Sequence, residues 1–482
     1  MSAKSNSRNV KWVEGLRGIT SFLVIMTHMA RAWDFPLFWP SDRPDVPPRF
    51  LQLPIIRIPF QGRIGVPIFA FLTGFVCAYK PLRLAYQQGN TPASLHSLAR
   101  SAFRRPPRLM LPAVFATLIS FVLSLLGAYQ TSAHCDSFWV RFDTPDPAVN
   151  TFNGHIRRLL RSLLTTWTST ENVYDRHQWA MRPLLIGAFQ VYLTLAATIG
   201  MRFKYRIMVH VLLYSYWLAN TAALTETFGS NLALGTLLAE LSLHRPTQNF
   251  LAARSRILTY IVAPILITIG LYLGSYPHER EEWQPWSRQM RDMFVDPAGD
   301  GTRGTLLVPL GSYAQRRMTS AAVQMCSLAI FLSPVLREAM SNRWLMWLGQ
   351  HSFAVYLVHG TILRTVGMWI VYGVSLDKYV LRGSHGEGNP RETQFLHPLS
   401  RGHKQVAVVV FVSLTYLAAW AWMKWVDTTC AKITVWLEKR VFEDDDNGKE
   451  GMAEKGLAQP LLNGCADGIL RPEESDRARQ PS

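Results

Sequence analysis

Residues 108–129 read RLMLPAVFATLISFVLSLLGAY, with no charge after Arg108. Crossing the hydrocarbon core of a bilayer takes about 20 mostly apolar residues, so this stretch reads as a transmembrane helix. Working outward, runs of the same kind cover approximately residues 12–33, 63–82, 181–200, 206–223, 229–243, 256–274, 317–336, 350–375 and 405–427. The chain is therefore expected to be all-α, a polytopic integral membrane bundle of about ten transmembrane helices. The sixth run is short, and the ninth is long enough to hold two crossings.

The bulk composition agrees. Of 482 residues, 49% are hydrophobic and only 17% charged, which excludes a soluble multidomain protein. A net charge of +17 would suit nucleic acid, but the basic residues sit mainly at the ends of apolar runs, where positive-inside placement accounts for them. Membrane lipid, not nucleic acid, is the expected partner. The cysteines Cys77, Cys135, Cys326, Cys430 and Cys465 form no CxxC pair, so neither a metal site nor a disulfide framework is expected.

Lysine and arginine resist translocation, which sets the orientation. The segment 80–108 carries Lys80, Arg83, Arg100, Arg104, Arg105 and Arg108 without an acid and is expected in the cytosol; 130–179 is balanced in charge and expected on the lumenal or external side. The loop 276–316, with aromatic residues and glycine clusters, is expected to form a partly ordered cap over that face. Residues 1–428 then make the membrane-embedded domain. Residues 429–482 make a cytosolic polar tail, acidic and then rich in Gly, Pro, Ser and Arg past about residue 443, too poor in apolar periodicity to build a core.

A charge at bilayer depth costs on the order of 2.5 to 3.5 kcal/mol, so each one must be paired, face water or serve a function. The polar residues concentrate in two runs. In the first, Glu14, Arg17 and His28 recur at helical spacing and share one face; in the ninth, Ser352, Tyr356 and His359 do the same. Two polar stripes point to one shared cavity. Arg17 and His28 are separated by roughly 16 Å at about 1.5 Å per residue, so a site using both is elongated along the membrane normal. Arg104, Arg105 and Arg108 flank Pro106-Pro107, whose preference for extended backbone is expected to make the arginines project from a stiff cytosolic segment. Guanidinium forks suit phosphate oxygens.

The run Glu14-Gly15-Leu16-Arg17-Gly18 followed by His28 resembles the opening signature of the acyltransferase-3 family of membrane O-acyltransferases. Arg105-Pro106-Pro107-Arg108 resembles the family's R-x-x-R segment, and Leu348-Gly349-Gln350-His351-Ser352 through Tyr356 and His359 resembles its late motif, in the same order along the chain. The run GRIGVPIFAFLTGF at 62–75 is similar to fungal members associated with O-acetylation of small molecules. The chain departs from the pattern at Leu184, where the family often carries an acid, with Glu171 and Asp175 in the preceding loop as substitutes.

The resemblance implies transfer of an acyl group, commonly acetyl from acetyl-CoA as co-substrate with no permanently bound cofactor, to a hydroxyl. The acceptor is expected to be a lipophilic small-molecule alcohol such as a fungal secondary metabolite, and the location the endoplasmic reticulum or another endomembrane. Arg104, Arg105 and Arg108 would meet the nucleotide phosphates. His28, with Glu14 and Arg17 on its helix, would act as general base or transient acyl carrier, and Ser352, Tyr356 and His359 would position the acceptor or stabilise the oxyanion. The competing class is a proton-coupled transporter or flippase in which Glu14, His28 and His359 relay protons. A non-catalytic scaffold or lipid sensor is a third.

Overall fold

The structure, a computed structural model, describes residues 8–442 except 61, 63, 89–90, 146–150, 221–225, 300, 302–303 and 375–394. Of the polar tail expected over 429–482, residues 443–482 lie outside the described residues and residues 429–441 are helical. The chain divides into a compact unit ending at Glu438 and a second one from Lys439.

The bundle opens with α1 (Arg8–Trp33), α2 (Gly65–Gln88) and α3 (Thr91–Leu125), followed by the shorter α4 (Gln130–His134), α5 (Phe138–Asp143) and α6 (Phe152–Thr168). Next come α7 (Met181–Thr198), α8 (Phe203–Ala219), α9 (Glu226–Leu243), α10 (Arg245–Ala253) and α11 (Ser255–Ile257), the last running through a π segment into α12 (Ala263–Gly274). α13 (Pro285–Phe294) precedes α14 (Ala314–Leu332) and α15 (Pro334–Met340). The chain then forms α16 (Arg343–Ile362), a π segment (Leu363–Gly367), α17 (Met368–Tyr372), α18 (Arg401–Trp422), a second π segment (Met423–Asp427) and α19 (Thr428–Val441). The fold is all-α, and among the described residues each apolar run read from the sequence lies largely on helix. Among the described residues six helical stretches qualify as membrane spans by length and composition, or seven if the pair α14 and α15, bent by 105°, is one span, so the expected count of ten is not confirmed. The ninth run is one continuous helical stretch, Arg343–Tyr372.

Hydrophobic burial does not drive helices together in lipid; close packing and interhelical hydrogen bonds do. The crossing of α1 on α16 shows both. A Cβ at Gly349 would lie 2.0 Å from the Glu14 carbonyl oxygen, and one at Gly18 would lie 2.3 Å from the Leu345 carbonyl oxygen, so glycine lets the backbones touch. Arg17 closes the crossing, donating to the Gly349 carbonyl at 3.0 Å and to Ser352 Oγ at 2.8 Å. Asn342 caps the N-terminus of α16 by accepting from the Trp344 N–H at 2.9 Å. Gly373, at a φ of 84°, ends α17.

One expectation needs correction. Arg104-Arg105-Pro106-Pro107-Arg108 is not extended: α3 runs helically through Pro106, Pro107 and Pro112. A proline ring fixes φ near the helical value, and the carbonyls left without donors are tolerable in a membrane bundle where neighbours re-satisfy them. The expected cap has a packed core: Tyr276, Met290 of α13 and Val308 are buried against Leu273 and Met318 at the ends of α12 and α14.

Candidate active site

The segment before α7 is fastened to α3 by polar side chains. Thr170 sits at a φ of 66° and turns the chain. The Asn172 side-chain oxygen accepts from the N–H groups of Tyr174 and Asp175, each at 3.0 Å, while its amide donates to Thr117 on α3 at 2.9 Å. Ser120 donates to the Tyr174 carbonyl at 2.6 Å, and Gln178 donates to the Ala113 carbonyl at 3.3 Å. The Tyr356 hydroxyl of α16 donates to the His177 carbonyl. Between these fastenings the segment presents Asp175 and His177 to the bundle interior, both buried.

His177 meets the two histidines singled out in the sequence. Its ring centroid lies 4.4 Å from that of His28 and 5.0 Å from that of His359, and His28 and His359 are 4.9 Å apart. The approach needs Gly360, where a Cβ would lie 2.4 Å from His177 Nδ1.

Two tautomers follow from the bonds. His359 Nδ1 lies 3.0 Å from the Val355 carbonyl oxygen, which can only accept, so Nδ1 carries the proton and Nε2 is a bare lone pair. That Nε2 is buried with no hydrogen-bond partner among the described residues. His177 Nδ1 lies 3.1 Å from Asp175 Oδ1, so it donates to the carboxylate and its own Nε2 is the free base. A carboxylate orienting an imidazole is how a general base is held in one tautomer.

Two arginines share the site. Arg364 lies in the π segment after α16, and its Nε donates to the Gly360 carbonyl at 3.0 Å. Arg364 also donates to the Asp143 carbonyl at 2.6 Å and to Asp175 at 3.4 Å. Arg31, one turn beyond His28, lies 3.7 Å from Asp143 and stacks over Trp139 at 4.0 Å. Burial raises the Asp175 carboxyl above the usual carboxylate range against the pull of Arg364, and does the same to Asp143 against Arg31 and Arg364. A narrow cleft with about 10 Å³ of free space reaches the group, lined by His28, Arg31, Trp139, Asp143, His177 and Arg364 among others. The three imidazoles offer nitrogens within 4.8 Å of one another, a spacing that could close on a metal ion. Two guanidiniums in the same cleft oppose a divalent cation, and the arrangement suits proton transfer better.

The other sequence candidates fall elsewhere. Glu14 pairs with Arg17 at 3.4 Å, and both lie with Ser352 at the α1–α16 crossing, toward the N-terminal end of α1 from the histidines. Tyr356 commits its hydroxyl to the His177 carbonyl, so it holds the segment instead of facing the cleft. Arg104 pairs with Glu438 through Nε at 2.5 Å. Arg108 lies within electrostatic reach of Arg104, Glu438 and Tyr192 of α7, and Arg105 of Tyr192 and Arg108; the buried Nε of each has no hydrogen-bond partner among the described residues. Of the two loop acids named as substitutes for the missing one, Asp175 is in the site and Glu171 is exposed. His177, Asp143 and Arg31 were not singled out in the sequence, whereas Arg364 stands out beside His359 as a charge within the ninth apolar run. The one local signal for His177 is its place two residues after Asp175 at the mouth of an apolar run.

Comparison with known proteins identifies the family. The acyltransferase-domain model of the acyltransferase-3 family matches residues 10–421. Among curated proteins, the chain is similar to O-acetyltransferase PaAT-1 of Phomopsis amygdali, at 23% identity over 91% of this chain and 86% of that protein. No solved structure matches.

Proposed function

This chain belongs to the acyltransferase-3 family and is a membrane O-acyltransferase, and from that premise we propose that it moves an acetyl group from acetyl-CoA to a hydroxyl of a lipophilic small molecule at the three-histidine site. The observation that carries the reading is the Asp175–His177 pair, a buried imidazole with its proton held by a carboxylate and its lone pair turned to the cleft.

In this mechanism the donor enters from the cytosolic end, with its phosphates met by Arg105 and Arg108. α3 links that end to the site: Arg108 and Thr117 are about 14 Å apart along the helix, and Thr117 bonds the segment that carries His177. The pantetheine arm lies along this path. The acceptor enters through the cleft beside Trp139, where Phe35 packs against that indole at 5.8 Å and Phe138 and Phe142 are exposed, which supports an apolar acceptor. His177 Nε2 takes the hydroxyl proton as the oxygen attacks the thioester carbonyl, and the resulting imidazolium returns the proton to the departing thiolate of CoA. His28 and His359 complete the wall of the site. The arrangement would operate in the endoplasmic reticulum or another endomembrane.

Membranes containing the protein, given acetyl-CoA and an organic extract of host cells lacking the gene, are expected to release free CoA, and cells with the gene to hold a metabolite heavier by one acetyl group. Accumulation of the same metabolite inside vesicles without any need for CoA would sink this reading and favour a transporter.

A further inference from the structure

Attack on a thioester carbonyl turns its π pair into a full negative charge on oxygen, and an acyltransferase needs donors already aimed at that charge. Two guanidiniums line the cleft, and they differ in one respect. Arg364 is committed to the protein, its nitrogens donating to the carbonyls of Gly360 and Asp143 and to Asp175. Arg31 is not. Its one charged neighbour, Asp143, stands at 3.7 Å, beyond hydrogen-bond range, and Arg31 has no hydrogen-bond acceptor among the described residues. The Trp139 ring holds the guanidinium plane at 4.0 Å while leaving its N–H edges open. Donors in a half-buried cleft without an acceptor of their own carry a desolvation cost unless something in the cleft accepts from them.

We propose that Arg31 is the oxyanion-stabilising residue of the acyl transfer. It lies one helical turn, about 4.5 Å of rise, beyond His28 on α1, and both line the same cleft as His177. As the acceptor oxygen bonds to the carbonyl carbon and its proton passes to His177, the carbonyl oxygen gains the lone pair and the charge, and Arg31 donates to it. When the C=O bond re-forms, the C–S bond breaks, the charge moves to sulfur, and the imidazolium protonates the thiolate. Arg31 binds neither the CoA phosphates nor the resting alcohol, so its contribution belongs to the transition state.

The inference rests on the acetyl-transfer reading, and the test separates the two. Initial rates of CoA release are measured for wild type, Arg31→Gln and Arg31→Lys in membranes at equal protein level, varying acetyl-CoA and the host-cell extract independently. Arg31→Gln is expected to lower kcat by about 10²–10³ with both apparent KM values near wild type, and Arg31→Lys, which keeps a charge, to recover much of the loss. A wild-type kcat in Arg31→Gln, or a raised acceptor KM at unchanged kcat, overturns the proposal and leaves the reaction standing. No CoA release from wild type overturns the reaction itself, and the proposal with it. If Arg31→Gln does not accumulate, Arg31→Met is compared with Arg31→Lys by the same readout, and equal kcat in those two overturns the role.

Discussion

Gly360→Ala removes no chemical group and adds one methyl, yet it should disable the site. A Cβ at this position would stand 2.4 Å from His177 Nδ1, where ordinary contact begins near 3.4 Å, so the imidazole must retreat by about 1 Å. His177 cannot do so freely: its carbonyl is tied to Tyr356, its Nδ1 to Asp175, and the preceding residues to α3 through Asn172 and Ser120. Displacing a reacting group by about 1 Å costs on the order of 10²-fold in rate. The helix itself should tolerate the change, since alanine is favoured over glycine in helices by about 1 kcal/mol. The assay is CoA release at saturating acetyl-CoA with parallel measurement of protein in the membrane. The expected result is a kcat lower by about 10² at unchanged protein level. A wild-type kcat would refute the reasoning, because it would mean that His177 works from another position or does not work at all.

Asp175→Asn should lower kcat on the order of 10³ to 10⁴, as an amide can donate to His177 Nδ1 and reverse the tautomer. Because burial raises the Asp175 carboxyl, even with Arg364, His177, His359 and Gln178 around it, wild-type activity should begin to fall with decreasing pH above the usual carboxylate range, and a pH profile with no loss there would contradict an ionised Asp175. Arg105→Gln with Arg108→Gln should raise the apparent KM for acetyl-CoA, by about tenfold for each charge-assisted bond to phosphate that is removed, and leave that for the acceptor unchanged; equal effects on both would return these residues to a topology role. A glycosylation-site map of the same variant checks that the helices keep their orientation.

Much of the fold was legible because spanning a bilayer demands long apolar runs, and among the described residues these runs are largely helical. His28 and His359 were legible for a related reason: polar groups in apolar runs stand out. The same contrast marked Arg17, Glu14 and Ser352, which the structure places at a helix crossing where Gly18 and Gly349 bring backbones together. His177 escaped notice because it sits just outside an apolar run, in a loop of mixed charge where one more histidine carries no contrast. Its importance depends on the fastening of that loop to α3 and α16, a tertiary fact. Arg364 stands out as a charge inside the ninth apolar run, but its bonds to Asp143 and Asp175 are a tertiary fact. The prolines of α3 misled because their local preference for extended backbone lost to the requirement that a span stay helical.

The central claim is that His28, His177 and His359 form the catalytic centre, and the direct measurement is the rate of acetyl-CoA-dependent CoA release by wild type and by His28→Ala, His177→Ala and His359→Ala in membranes at equal protein level. The account predicts a loss of about 10²–10⁴ for His177→Ala, consistent with removal of a general base, and substantial losses for the other two. Wild-type rates in all three variants would contradict it.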